Sequence, residues 1–269
     1  MVLLTNGDSW TQGDSPSQTF NWEATKTLDW YDVVPNFGDS MTPSGDYLDG
    51  TLILKENKIP CTRQRYKFYD SKLWPKELGR KLGIETWNAG RLGSSNDNIV
   101  RTTISSIDYL ESIGKKDLFV VIGLTSMLRY ETWNQNEKKQ FIWEDKRISK
   151  NEWLEENERL GKSLIHRACL NIINLQSFLK TKNIPYLIFN CFDAFFDRDI
   201  RLDPLFKHID LDYIYNNNFE PHFKNHIEKK FNTHWGNNDE YFSKGHPKDI
   251  SHIEWGNHLN EYIQSNYTI

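Results

Sequence analysis

Short apolar runs that stop abruptly at turn residues constrain the fold of this chain more than any other feature. There are four such runs, at residues 2–4, 84–87, 117–123 and 186–191. Runs of this length between turn residues indicate buried strands, and the segments between them carry helical apolar periods. Strands that alternate with helices predict an α/β fold, in which helices cover both faces of a parallel sheet.

Two stretches interrupt this pattern of strands and helices. Residues 13–70 are rich in Asp, Ser, Gly, Pro and aromatic residues, and residues 132–152 are polar and carry tryptophan. Long loops in compact domains tend to be functional or mobile, so we interpret both stretches as insertions. The length of 269 residues is enough for one large core, and we expect a single domain over residues 1–269.

Composition and charge argue against several classes of protein. A net charge of −4 gives no electrostatic footprint for nucleic acid or for an anionic membrane. The three cysteines lie far apart without a CxxC pair, which argues against a disulfide scaffold and a cysteine-built zinc site. No stretch approaches the ~18 apolar residues of a membrane span, and the first residues lack the basic segment of a signal peptide. We therefore expect synthesis in a cytoplasm and neither a nucleic-acid nor a membrane partner.

The first apolar run ends at Asn6-Gly7-Asp8-Ser9. In open α/β sheets, ligands and catalytic groups gather at the carboxyl ends of the strands. A serine there can act as a nucleophile if a histidine reaches it and backbone N–H groups face the developing oxyanion. Taken alone, the four residues favour an Asx turn with a capping serine, and only the rest of the chain can distinguish the two interpretations.

Four strand ends or loops carry polar groups. In chain order they are Gly7-Asp8-Ser9, Gly93-Ser94, Gly123-Leu124-Thr125 and His246-Pro247. Their order and context resemble the SGNH (GDSL-type) hydrolase superfamily. The resemblance implies a three-layer α/β/α, flavodoxin-like fold with a central parallel sheet of about five strands, and cleavage of esters without a cofactor. It also implies that Ser9 is the nucleophile and that Gly93 lies in the oxyanion hole.

The third block departs from the superfamily pattern. The superfamily has Gly-x-Asn-Asp, and this chain has Gly123-Leu124-Thr125-Ser126. Thr125 can still donate one hydrogen bond, but from a shorter side chain, and losing one oxyanion donor can cost about 3–4 kcal/mol. The candidate oxyanion donors are therefore Gly93, Thr125 and Asn96, the last as a replacement for the missing amide.

The fourth block allows two alignments. The superfamily usually has Asp-x-x-His-Pro before the last helix. Alignment on His246-Pro247 makes His246 the general base and leaves Ser243 where the orienting aspartate should lie. Alignment on Asp-x-x-His alone gives Asp249 and His252 instead. His246 is favoured because the residue before a proline is held extended, outside the helix, whereas His252 shares a helical stripe with apolar residues and also fits a packed histidine.

If His246 is the base, its acidic partner is either missing or is one of Asp239, Glu240 and Asp249. A serine–histidine dyad would still work, because the histidine takes the proton and the acid mainly fixes its tautomer and charge.

Two further patterns allow a functional and a structural interpretation. Arg129 and Glu131 follow the third strand and could pair to shape the cleft, or form an ordinary salt bridge. His222 and His226 have i,i+4 spacing, but no HExxH motif accompanies them, so no metal is expected.

These observations predict a serine esterase, and ten tryptophans together with the resemblance favour acetyl groups on a carbohydrate as its substrate. The expected partner is thus a small-molecule or polysaccharide ester. The alternatives are a non-catalytic glycan-binding module on the same fold, favoured by the departures at Thr125 and Ser243, and a lipase or thioesterase. The run Gly93-Ser94-Ser95-Asn96-Asp97 also resembles a subgroup found in phage and bacterial surface-polysaccharide contexts, which implies association with the virion for a phage-encoded chain.

Overall fold

The computed structural model describes only part of the chain. The described residues are 1–8, 11, 72–90, 94–127, 129–135, 141–147, 159–192, 200–237, 239–243 and 245–268, with backbone alone for 132–135, 141–147, 159–161 and 243. The whole of the predicted insertion at 13–70 therefore lies outside the described residues.

The described residues form strands and α-helices that alternate through most of the chain. The strands are β1 (Val2–Asn6), β2 (Glu85–Asn88), β3 (Leu118–Leu124), β4 (Arg129–Gln135), β5 (Phe141–Arg147), β6 (Tyr186–Asn190), β7 (Phe242–Ser243) and β8 (His246–Pro247). The α-helices are α1 (Trp74–Leu82), α2 (Asn96–Ser112), α3 (Arg159–Thr181), α4 (Phe223–Phe231) and α5 (Asp249–Asn266). Between β6 and α4 the chain forms four short 3₁₀ helices, at Ile200–Leu202, Phe206–His208, Leu211–Tyr213 and Tyr215–Asn217.

The central sheet has the strand order β2-β1-β3-β6, and all of its strands are parallel. Each of these strands coincides with one of the four apolar runs in the sequence. About five strands were expected, and the described residues supply four. Beyond β6 a single parallel bridge joins Ile188 to Ile214, because the chain around Ile214 forms 3₁₀ turns that interrupt any longer ladder.

Two apolar cores, one on each face of the sheet, confirm the three-layer α/β/α arrangement. Alternate side chains of one strand point to opposite faces, so Val120 and Ile122 join one core while Phe119 and Val121 join the other. Helices α2 and α3 complete the first core, and α1, α4 and α5 complete the second.

The carboxyl ends of β1 and β3 are each packed so closely that they need a glycine. A Cβ on Gly7 would lie 2.1 Å from Thr11 Oγ1 and 2.8 Å from the carbonyl oxygen of Gly123. A Cβ on Gly123 would lie 2.9 Å from Cys191 Sγ. The φ of Gly7 is not positive, so close packing is what requires a glycine there.

Strands β4 and β5 form an antiparallel hairpin beside the carboxyl edge of the sheet. This hairpin occupies most of the segment that the sequence predicted as the insertion at 132–152. Its base is fixed by two partly buried pairs. Arg101 Nη2 lies 2.5 Å from Glu131 Oε1, and Asp97 accepts hydrogen bonds from Arg167 Nε at 2.7 Å and from the Glu131 backbone N–H at 2.9 Å.

The last helix, α5, begins at Asp249 and packs against α1. His246 and Pro247 precede it in the short strand β8, as the extended conformation before a proline predicts. No helix in the described part of the chain is both long enough and apolar enough to cross a bilayer.

Candidate functional site

The carboxyl end of β1 carries a fully buried acidic residue, Asp8. Its Oδ2 accepts a hydrogen bond of 2.8 Å from the Thr125 hydroxyl and one of 2.9 Å from Arg129 Nη1. Arg129 Nη1 also lies 3.1 Å from Thr125 Oγ1. A buried carboxylate needs a charged partner and hydrogen bonds, and residues that follow the neighbouring strand β3 supply both. Asp8 is thereby fixed across two strands of the sheet.

The loop that precedes α2 is bound to the end of β3 through one side chain. Asn96 Nδ2 donates to the Thr125 carbonyl, and the Thr125 N–H donates to Asn96 Oδ1, both at 2.9 Å. The same helix is capped by Ser95, whose hydroxyl accepts from the Asn98 N–H at 3.2 Å. Two of the predicted oxyanion donors, Asn96 and Thr125, are thus in direct contact.

Two central residues of the predicted site, Ser9 and Gly93, lie outside the described residues. Their chain neighbours are placed at the carboxyl edge of the sheet. Asp8 and Thr11 are buried there, with the Thr11 N–H donating to the Asp8 carbonyl at 2.9 Å. Ser94, which follows Gly93, is also buried. The roles of Ser9 and Gly93 stay predictions.

A series of contacts runs from Cys191, at the end of β6, toward His246. The thiol of Cys191 is fully buried, and its pKa is raised first by burial and then by the negative charge of Asp8. The Lys224 N–H, in the first turn of α4, donates to the Cys191 carbonyl at 3.2 Å. The ammonium group of Lys224 lies 5.5 Å from the ring centroid of Trp235. These contacts connect β6, α4 and Trp235.

Trp235 packs next to the residue that precedes the candidate base, His246. Its ring packs against Gly245 so tightly that a Cβ there would lie 2.8 Å from Cζ3. Gly245 has a positive φ of 79° and directly precedes His246. Trp235 nevertheless remains 41% exposed. A fixed and accessible indole therefore borders the loop that carries His246.

The two candidate bases differ sharply in environment. His246 is partly exposed, in β8. His252 is 2% exposed, it lies in the second core beside Phe223, and neither of its ring nitrogens has a hydrogen-bond partner among the described residues. Burial, with a smaller effect of the charge of His246, lowers the pKa of His252 to about 3. His252 therefore stays neutral at ordinary pH.

Each of the three candidate acids has another partner. Asp249 Oδ2 lies 2.9 Å from Lys72 Nζ. Asp239 accepts from the Thr233 hydroxyl and from the N–H groups of Tyr241 and Phe242, at 2.8 and 2.9 Å respectively for the two backbone bonds. Glu240 accepts from the hydroxyl of Tyr241 and raises its pKa.

The remaining polar residues that the sequence singled out have structural contacts. Arg129 and Glu131 do not pair with each other, because Arg129 binds Asp8 and Glu131 binds Arg101. His222 Nδ1 accepts from the Asn225 N–H at the start of α4, and His226 Nε2 lies 3.0 Å from Glu254 Oε1. Among the described residues, no cluster of three His, Cys, Asp or Glu side chains is placed to hold a metal ion.

Sequence reasoning placed Arg129 near the cleft but missed its partner. The available signal was the departure at Thr125, since a shorter side chain leaves space beside Asp8. Chemically, the arrangement supplies a fixed β1 terminus, a guanidinium group beside it and a partly exposed histidine before the last helix.

Among the solved structures similar to this chain are two of low sequence identity. One is a protein assigned to the G-D-S-L lipolytic family from Desulfitobacterium hafniense DCB-2, with 9% identity and a TM-score of 0.37, over 97% of this chain and 98% of that one. The other is an acetyl xylan esterase, Est2A, from the rumen bacterium Butyrivibrio proteoclasticus, with 14% identity and a TM-score of 0.45. That match covers 98% of this chain and 63% of the esterase, so this chain spans less than two thirds of its length.

Because these identities and TM-scores are low, the functional proposal rests on the residues of this chain. No curated protein matches the sequence. A family model does match, over residues 55–264, which is most of the chain. The chain belongs to DUF6071, a family of unknown function.

Proposed function

We propose that the protein is a serine esterase, with Ser9 as the nucleophile and His246 as the general base. The observation that carries this proposal is the fixed position of Asp8 at the carboxyl end of β1, where Thr125 and Arg129 hold its carboxylate at 2.8 and 2.9 Å. Ser9 is the next residue in the chain. Effective nucleophilic catalysis requires a nucleophile that starts from a defined point on a rigid element.

In the proposed reaction, the Ser9 hydroxyl attacks the acyl carbonyl and His246 takes its proton. The tetrahedral intermediate collapses to an acyl-serine as His246 returns the proton to the leaving alcohol. Water then releases the acid by the same steps. The backbone N–H groups of Ser9 and Gly93 are the proposed donors to the oxyanion.

The choice of His246 over His252 is supported by protonation. A general base works best when its pKa lies near the operating pH. The pKa of about 3 for His252 makes its imidazole a poor proton acceptor.

The proposed substrate is an acetylated carbohydrate. Trp235 supports this choice, because it is 41% exposed and packs against Gly245, next to His246. Pyranose rings present flat C–H faces, and ligand sites commonly use aromatic side chains to bind such apolar faces.

The decisive experiment compares the parent chain with Ser9→Ala. The parent should hydrolyse p-nitrophenyl acetate and be labelled by a fluorophosphonate probe, and Ser9→Ala should do neither while its melting temperature changes little. A Ser9→Ala variant that keeps most of the activity would remove Ser9 from the mechanism.

One observation favours a second candidate, a non-catalytic glycan-binding module on the same fold. The hydroxyl hydrogen of Thr125 is donated to Asp8, and the Asn96 amide is bonded to Thr125 on both sides. The Thr125 hydroxyl is therefore not poised to donate to an oxyanion, and the orientation of the Asn96 amide is fixed by Thr125. A parent chain that binds acetylated polysaccharide, but neither hydrolyses esters nor reacts with the probe, would establish this alternative.

A further inference from the structure

Arg129 has more hydrogen-bonding capacity than its observed contacts use. A guanidinium group carries five N–H donors, two of them on each Nη and one on Nε. Arg129 Nη1 donates to Asp8 Oδ2 at 2.9 Å and to Thr125 Oγ1 at 3.1 Å. Among the described residues, Nη2 and Nε of Arg129 have no hydrogen-bond partner, which leaves three donors available.

These donors lie in a sheltered position at the end of β3. The Arg129 side chain is only 18% exposed, and its partner Asp8 is not exposed at all. None of these Arg129 nitrogens is among the fully buried, unpartnered atoms of the described residues, so the three N–H groups face solvent beside Asp8, where an acceptor that arrives with a ligand can reach them. Hydrogen bonds from an ionised donor are also about twice as strong as neutral ones.

The charge balance suits an acceptor that becomes negative only during reaction. Asp8 neutralises Arg129 before any substrate is bound. An oxyanion that forms nearby would add a negative charge, and the guanidinium group could stabilise it without first losing a strong solvation shell. The Thr125 hydroxyl donates to Asp8, and Asn96 donates one of its two amide N–H groups to the Thr125 carbonyl, so Arg129 is the only charged donor of the three.

We infer that Arg129 is a catalytic residue that donates hydrogen bonds from Nη2 or Nε to the oxyanion, in place of the amide that the SGNH pattern supplies. This inference rests on the proposed esterase function.

As the bond between Ser9 Oγ and the acyl carbon forms, the carbonyl π electron pair moves onto the oxygen and the serine proton moves to His246. Arg129 stabilises that oxygen and transfers no proton. When the intermediate collapses, the electron pair returns, the ester C–O bond breaks and the leaving alkoxide takes the proton from His246.

The competing explanation is that Arg129 only neutralises Asp8. A single Arg129→Met variant cannot separate the two explanations, because it leaves a buried carboxylate without its charged partner and so destabilises the fold. The double variant Asp8→Asn/Arg129→Met removes both charges at once. A matched control, Arg101→Met/Glu131→Gln, removes another buried ion pair, whose Glu131 side chain is 3% exposed, from the base of the same hairpin.

The experiment measures kcat and KM for p-nitrophenyl acetate, together with the melting temperature. If Arg129 binds the oxyanion, the Asp8→Asn/Arg129→Met variant stays folded and its kcat falls about 10²–10³-fold, with KM nearly unchanged. Methylguanidine added in solution should restore part of that kcat. The control pair should keep kcat within about twofold of the parent, since surrounding pairs act on stability rather than on the reaction.

A folded Asp8→Asn/Arg129→Met variant with parental kcat would overturn the inference and leave the esterase proposal intact. So would a control pair that loses kcat equally, because any buried pair of the hairpin would then have the same effect. If the parent itself neither hydrolyses the ester nor reacts with the fluorophosphonate probe, the esterase proposal fails and the role of Arg129 fails with it.

Discussion

The side chain of Asn96 and the backbone of Thr125 form a reciprocal pair of hydrogen bonds, each 2.9 Å long, between the start of α2 and the end of β3. Both residues are almost completely buried. The pair joins two loops of the candidate site, so it bears on both stability and activity.

Replacing Asn96 with alanine leaves the N–H and the carbonyl of Thr125 without partners. Each unsatisfied buried group costs about 1–3 kcal/mol, so we expect Asn96→Ala to lower the free energy of unfolding by about 2–4 kcal/mol in urea titrations. Asn266→Ala, at an exposed position of α5, is the matched control and should change it by less than about 0.5 kcal/mol. Equal stability of Asn96→Ala and the parent would show that the pair has no structural role.

Substitutions at His246 and His252 should have opposite effects on activity and on stability. We expect His246→Ala to lower kcat by at least about 10²–10⁴-fold with little change in melting temperature, because removal of a general base has this effect. His252→Ala should lower the free energy of unfolding by roughly 1–3 kcal/mol, as loss of a buried residue does, while the folded fraction stays active. A folded, inactive His252→Ala beside an active His246→Ala would assign the base to His252, with Asp249 as its acid.

The buried, neutral His252 also predicts a dependence of stability on pH. Its pKa is about 3 in the folded protein, against about 6.5 for an ordinary histidine. Between these values the unfolded chain binds a proton that the folded protein excludes. The free energy of unfolding should therefore fall as the pH falls below about 6.5, by up to about 1.4 kcal/mol per pH unit, and His252 should contribute no slope above it.

Urea unfolding of the parent and of His252→Leu between pH 7.5 and 4.5 would measure this slope. His252→Leu should show a shallower slope, and His208→Leu controls for the loss of an exposed histidine. His258 should retain part of the slope in the variant, since burial lowers its pKa to about 4. Identical slopes in the parent and His252→Leu would contradict the assignment of a neutral, buried His252.

Trp235 provides a test of the proposed substrate class. We expect Trp235→Ala to raise KM for acetylated xylan by roughly 3- to 10-fold, because an aromatic stacking contact contributes about 0.5–1.5 kcal/mol. The kinetics with p-nitrophenyl acetate should stay nearly unchanged. Trp235→Phe should recover part of the loss, and Leu202→Ala, which removes a side chain that is 77% exposed elsewhere, should not alter KM. An unchanged KM for acetylated xylan, glucomannan and pectin would argue against a carbohydrate substrate.

The layers of the fold could be predicted from the sequence, because each depends on a local period. The four apolar runs became the four strands of the sheet, and the helical apolar period between the third and fourth runs became the helix Arg159–Thr181. The hairpin of β4 and β5 was missed because its polar composition suggested a loop. Its alternation of polar residues with aromatic and β-branched ones, in Arg129-Tyr130-Glu131-Thr132, was the available signal.

The side-chain pairing of the site could not be predicted in the same way. Arg129 and Glu131 lie two residues apart in one strand, and their true partners, Asp8 and Arg101, lie far away in the chain. Pairs of this kind depend on how separate elements pack against each other. Sequence periodicity indicates only which local element forms, so it does not predict these pairs. The difference between the two histidines was more accessible, since the proline after His246 and the apolar stripe around His252 are both local features.

The anchoring of the hairpin at its base has a consequence for how relatives of this protein can diverge. Asp97, Arg101 and Arg167 hold the first residues of β4, through Glu131, while Arg129 binds Asp8. An antiparallel hairpin can lengthen or shorten by pairs of residues at its far end without a change of register at its base. A graft made beyond Glu131 would therefore transfer a new recognition surface while the base of the hairpin keeps its anchors.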